Sequence, residues 1–105
     1  MTSAAVKRAL REHANEEKAA FFPRFFKNGK GEYGEGDRFL GVVVPDQRRI
    51  AKQFRDLPPD QVTKLLDDAY HECRLTGVLI LVSQYERAGE ERRGEFVDYY
   101  LAHLD

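Results

Sequence analysis

An all-α fold built from stacked antiparallel helix pairs, with a compact bundle second, is the architecture this sequence predicts, and three observations carry it. Apolar residues recur at i, i+3, i+4 and i+7 in one segment after another, the spacing of a helix face. No segment pair alternates strand with helix, so a parallel sheet with crossover helices is excluded. From Pro45 onward the helical stretches arrive in pairs of about 30 residues each, the rhythm of a degenerate helical repeat. A chain of 105 residues suffices for one small domain with one core.

The elements follow in order. Residues Thr2 to His13 place Val6, Ala9 and Leu10 at helical spacing among Lys7, Arg8 and Arg11. Asn15 suits the N-cap of a second helix, because its side-chain oxygen can accept an orphan backbone N–H. Glu16 and Glu17 complement the positive end of that helix. Phe21, Phe22, Phe25 and Phe26 put two aromatic pairs one turn apart and read as core, with Pro23 set to kink or break the helix between them. A long glycine-rich loop fills residues 27–44.

Helix signals return after Pro45, where Ile50, Phe54 and Leu57 obey the i, i+4, i+7 rule. Pro58-Pro59 stops that helix, and Asp60 is placed to cap the next, whose apolar face is Val62, Leu65, Leu66 and Ala69. From His71 to Arg87 the chain is apolar nearly all round, the pattern of a helix buried on most sides. After Gly89, Phe96, Val97, Tyr100, Leu101 and Leu104 form one stripe on a last helix. Terminal members of helical stacks show a polar outer face, and this one does not. Self-association through the last helix is therefore expected.

Within the loop, Gly29-Lys30-Gly31-Glu32-Tyr33-Gly34 satisfies a formal G-x-G-x-x-G. A dinucleotide site needs a strand before that pattern and a helix opening from it, so that the helix N-terminus holds the pyrophosphate. Here a phenylalanine-rich helix precedes it, and the Val42-Val43-Val44 run comes after. No G-K-[ST] follows either. The glycines serve backbone freedom in an exposed connection, and no cofactor is expected.

Composition narrows the function classes. A net charge of −1 argues against a nucleic-acid partner held by bulk charge, while leaving room for a local basic face. Cys73 is the only cysteine, which excludes an internal disulfide and a cysteine-rich zinc site, and its apolar neighbours mark it as a core residue. His13, His71 and His103 contain no i, i+4 pair, and Glu32, Glu35 and Asp37 lack calcium-loop spacing, so no metal is expected. The longest apolar run, Val78 to Val82, is too short to span a bilayer, and no signal peptide is visible. A cytoplasmic setting without membrane contact is the expectation. Arg48, Lys52 and Arg55 share one face at i, i+4 and i+7, opposite the apolar stripe and flanked by Arg49. Lys27, Lys30 and Arg38 precede them in the loop. These cations read either as a solvated face or as a phosphate track.

The stretch RFFKNGKGEYGEGDRFLGVVVPDQRRIAK resembles the N-terminal signature of the DNA alkylation repair family, the AlkD-like DNA glycosylases with HEAT-like repeats. The likeness continues through HECRLTGVLILVSQYE, where relatives carry H-E-x-R-L-x-A-L-x-I-L, and it covers most of the chain. The resemblance implies a HEAT-like or ARM-type α-solenoid of which this is the N-terminal segment. It implies a concave basic surface gripping duplex DNA and hydrolysis of the N-glycosidic bond of N3- or N7-alkylated purines, without metal or organic cofactor. On it, Lys27, Lys30, Arg38, Arg48, Arg49 and Lys52 become the DNA-binding candidates. Phe25 and Val43 become lesion-proximal, although each stands where relatives carry a polar group. The family's catalytic aspartate falls in a W-D-x-x-D-like segment that would begin beyond Asp105, and this chain contains no tryptophan. No catalytic residue is therefore assigned within 1–105, and the chain by itself is expected to be inactive. The alternative is a non-enzymatic helical-repeat module that binds nucleic acid or protein.

Overall fold

The computed structural model describes residues 1–22 and 38–102. Among them the fold is all-α: α1 (Ser3–Glu12), α2 (Glu16–Phe21), α3 (Val44–Gln53), α4 (Pro59–Leu66), α5 (His71–Arg87) and α6 (Glu90–Ala102). The only pairing of strand type among the described residues is one isolated bridge, Arg38 with Tyr70. Helix α5 is the centre of the packing. α3 and α4 lie against it, α1 rests on all three, and α6 touches α5 at its margin. The core is Val6 and Leu10 of α1, Ile50 and Ala51 of α3, Val62 and Leu65 of α4, and Cys73 and Ile80 of α5, with Val42 and Leu57 contributed by the segments flanking α3.

Local chemistry explains the first two helices. Thr2 Oγ1 accepts the Ala5 N–H at 3.1 Å and starts α1, and Asn15 Oδ1 accepts the Lys18 N–H at 2.9 Å and starts α2. The expectation that the phenylalanines form core needs correcting at Phe21, which is 49% exposed. The six-residue α2 leans on the chain through Phe22 at its C-cap, whose ring meets Phe39 edge-on at 6.1 Å. Phe25 and Phe26 lie outside the described residues.

The glycine-rich stretch ends in a fixed segment, not an open loop reaching residue 44. Arg38 O accepts the His71 N–H at 2.8 Å, Leu40 O accepts the Asn15 N–H at 3.0 Å, and Phe39 and Val42 are buried. Helix α3 then opens at Val44, earlier than the expected start after Pro45, because proline fits the first turn where no N–H partner is needed. It ends at Gln53, so Ile50, Phe54 and Leu57 do not share one helix. Leu57 reaches the core from the turn that follows, with its N–H donating to Phe54 O at 3.0 Å. Asp60 does not cap α4. Pro58 holds that position, its carbonyl accepting the Gln61 and Val62 N–H groups at 3.0 Å each, and Asp60 sits in the first turn.

Helix α5 departs from the all-round burial its sequence suggested. Cys73, Thr76, Gly77 and Ile80 face inward, while Val78, Val82 and Tyr85 form an exposed stripe at i, i+4 and i+7. Gly77 permits the close crossing with α4, since a Cβ there would stand 3.0 Å from Leu65 Cβ and 3.2 Å from Leu66 Cδ2. Arg93 ties α6 to the end of α5, donating to the carbonyls of Tyr85 and Glu86 at 3.1 Å each, with its guanidinium 5.2 Å from the Tyr85 ring centroid. On α6 itself, Val97 is 45% and Leu101 60% exposed. Leu104, the last member of the expected stripe, lies outside the described residues.

One ion pair joins α1 to the α4–α5 turn. Asp68 meets Lys7 through Oδ2 and accepts the Tyr70 N–H through Oδ1 at 2.9 Å. Burial raises the Asp68 pKa, but the hydrogen bonds and charge of Lys7 and Tyr70 outweigh it, so the net shift is below the ordinary value of 3.8. A depressed carboxyl contributes stability that is present above its unfolded pKa and is lost as pH falls through the folded value. Asp68→Asn is expected to lower stability at neutral pH by roughly 1–2 kcal/mol. The gap to wild type should close as the pH drops below about 4. Denaturant melts of both proteins across a pH series from acid to neutral measure this, and a gap constant across that range would remove Asp68 as its source.

Candidate nucleic-acid interface

The candidate surface is the groove where α3 crosses α5. Arg48, Lys52 and Arg55 project from α3 and the turn beyond it, and Arg87 faces them from the last turn of α5. Ala51, Leu79 and Ser83 complete the lining of this groove of about 330 Å³. Helical periodicity places the first two cations on one face because Ile50 occupies the opposite, buried one. Among the described residues Arg48, Lys52 and Arg55 form no ion pair. Arg87 also braces the turn: it donates to Arg55 O at 2.8 Å and lies 3.4 Å from Asp56 Oδ1. Gln84, one turn earlier, donates to Arg55 O at 3.0 Å and Leu57 O at 2.7 Å. Together they fix the turn that carries Arg55. Sequence reading had no means of finding Arg87, which comes from an element about thirty residues later.

The other candidates are placed differently. Arg49 is drawn to Asp46, three residues before it, and Asp46 also faces His13 Nδ1 at 3.8 Å. Arg38 is exposed at the start of the fixed segment, away from the α3 stripe in sequence but held by its own carbonyl to the N-terminus of α5. Val43 is the N-cap of α3 and lines an apolar groove of about 350 Å³ with Phe22, Val42, Val44, His71 and Leu75. Lys27, Lys30 and Phe25 lie outside the described residues. So the structure brings Arg48 and Lys52 together with Arg55 and Arg87, and sets Arg49, Arg38 and Val43 apart from that cluster.

Two acidic or nucleophilic groups near these elements are structural. Glu72 is fully buried, and its carboxylate accepts three backbone N–H groups: Leu40 on Oε1 at 2.9 Å, and Gly41 and Val42 on Oε2 at 2.8 and 3.1 Å. That arrangement satisfies the orphan donors of the chain leading into α3 and leaves the carboxylate no access to a substrate. Cys73 is buried beside it; burial first, and then the charge of Asp68, push the thiol up to about 12, so it is held as an inert core residue. Among the described residues no cluster of three His, Cys, Asp or Glu side chains could hold a metal ion. Nor is any helix there long and apolar enough to cross a membrane.

Helices packed around α5, with cations gathered in one groove, define the class: an all-α protein that presents a cationic face. The family model described as DNA alkylation repair enzyme matches residues 6–105, and the chain belongs to that family. DNA alkylation repair is therefore its process and DNA its substrate class. No curated protein matches the chain, and no solved structure does.

Proposed function

We propose that residues 1–105 are the DNA-gripping N-terminal part of a DNA glycosylase that hydrolyses the N-glycosidic bond of N3- or N7-alkylated purines in duplex DNA. The observation that carries this reading is the α3–α5 groove, where three cations without an ion pair among the described residues face one side of an apolar floor. Cations in that state are available to replace the counterions on backbone phosphates. Such contacts fix the register of a duplex without reading its sequence. Outside this groove, family resemblance makes Lys27, Lys30, Arg38 and Arg49 further candidates for DNA contact, and Phe25 and Val43 the lesion-proximal candidates.

Chemistry on a cationic alkylpurine begins with a good leaving group, so catalysis consists mainly of stabilising positive charge on the departing sugar. A carboxylate held close to that sugar supplies this, and family resemblance puts it in a segment following Asp105. Glu72 cannot take that role, since its oxygens are occupied by backbone donors. The division of labour is then simple: this part holds the duplex, and the following part performs bond cleavage. The work is done in the cytoplasm. The exposed Val97 and Leu101 face of α6 is the surface through which the isolated chain self-associates.

Arg48→Glu combined with Lys52→Glu tests the grip. Binding of a blunt duplex should weaken at least about tenfold at low salt, and the slope of log K against log salt should fall by about two, one for each lost phosphate contact. Fluorescence anisotropy across a salt series reads both quantities. Identical curves for the variant and the wild type would remove the groove from the proposal.

A further inference from the structure

A second basin adjoins the duplex groove and shares Arg55 and Arg87 with it. It holds about 280 Å³ and lies between the turn at residues 55–59 and the start of α6. Arg92, Gln84, Pro58 and Pro59 are also in its lining. Pro59 and Arg92 then continue into a smaller depression of about 180 Å³ bordered by Tyr99 and Glu95. Three guanidinium groups therefore line a hollow that also carries Pro58 and Pro59, and Tyr99 borders the depression next to it. The acid in the basin lining, Asp56, is 67% exposed and 3.4 Å from Arg87, an ion pair weak enough for a phosphate to displace.

We infer that this basin is a subsite for an unpaired DNA strand: Arg55, Arg87 and Arg92 hold its backbone phosphate, and the unstacked base lies against Pro59 and Tyr99. The inference rests on the groove's being a DNA-binding surface. The composition of the basin separates it from that groove. Phosphate contacts alone serve a duplex, whose bases are hidden in their stack, so rings beside the cations add nothing to duplex binding. A strand with a free base uses both, because every base has a face to stack and stacking is tolerant of sequence. The shared Arg55 and Arg87 make the two surfaces one path, so that a strand leaving the duplex at the groove passes directly into the basin.

The test compares three probes by anisotropy at fixed salt: a blunt duplex, the same duplex with a short single-stranded thymidine extension, and the free single strand. The extension is expected to tighten binding about tenfold, the scale of one stacked base. Arg92→Glu and, separately, Pro59→Ala should abolish that gain while leaving blunt-duplex affinity unchanged. Arg48→Glu with Lys52→Glu should weaken blunt and extended duplexes alike. Equal affinity for blunt and extended duplexes would overturn the subsite while sparing the duplex groove. A chain that binds none of the three probes would overturn both. Competition by a poly-glutamate peptide as effective as the single strand would overturn it in favour of an acidic protein partner. Helical circular dichroism matching the wild type confirms that the variants are folded.

Discussion

Glu72→Ala is expected to remove about 4 kcal/mol of stability, a large part of the roughly 5–15 kcal/mol typical of a small domain. The alanine leaves the N–H groups of Leu40, Gly41 and Val42 without their acceptor in a region sealed from water. Each abandoned buried donor costs roughly 1–3 kcal/mol before relaxation. Glu72→Gln separates the hydrogen bonds from the volume. The amide keeps one oxygen, which can serve Gly41 and Val42, but its NH₂ then confronts the Leu40 N–H. A loss of about 2 kcal/mol is expected for glutamine, half that of alanine. Urea unfolding of the wild type and both variants measures the series. A Glu72→Gln variant as stable as the wild type, beside a destabilised Glu72→Ala, would show that volume, not hydrogen bonding, is what Glu72 supplies. Because residues 40–42 lead directly into Val43 and α3, the same loss should reach the groove as weaker duplex binding.

Gly41→Ala is the second large effect, and it acts on the other side of the same segment. Gly41 has φ +84°, a region an alanine enters only with strain of about 1–2 kcal/mol. Its Cβ would also fall 2.0 Å from Asn15 O and 2.8 Å from Ala19 N, both backbone atoms of the α2 N-terminus. No side chain can swing away from such a contact, so α2 must be displaced, with loss of the Asn15 N–H bond to Leu40 O. Strain and clash together should cost about 3 kcal/mol or more. Thermal unfolding of Gly41→Ala beside Gly94→Ala measures it, since a Cβ at Gly94 meets nothing within 4 Å. A change at Gly41 no larger than that at Gly94 would show that α2 does not dock on this segment. Glycine at position 41 thus answers a requirement of packing, distinct from the glycine pattern at residues 29–34.

Much of the helical layout was legible because its determinants are local. Thr2 to His13, the Asn15 cap and the helix from His71 to Arg87 follow from spacing, side-chain caps and apolar content, each acting within a few residues. Errors clustered at prolines and at α5. Pro45 and Pro58-Pro59 mark boundaries without saying whether proline lies just outside a helix or in its first turn. An all-apolar helix announces burial without saying how many neighbours exist to cover it, and Val78, Val82 and Tyr85 stay exposed among the described helices. The cationic stripe was half legible. Arg48 and Lys52 are set by helical period, whereas Arg55 is placed by the turn after α3 and Arg87 joins them only because α5 crosses α3.

By itself, then, the sequence determined most of the helices, the inward face of α1, the inward Val62 and Leu65 of α4 though not Ala69, the inert setting of Cys73 and the side of α3 that carries charge. These depend on intervals of three or four residues, over which backbone geometry leaves little choice. Tertiary structure alone decided which cations meet and which carboxylate is spent. Arg49 was drawn to Asp46, Arg87 was brought beside Arg55, and Glu72 was turned onto three N–H groups about thirty residues earlier in the chain. Those outcomes follow from the packing of distant segments, where the need to satisfy every buried donor selects one partner among many that the sequence offers equally.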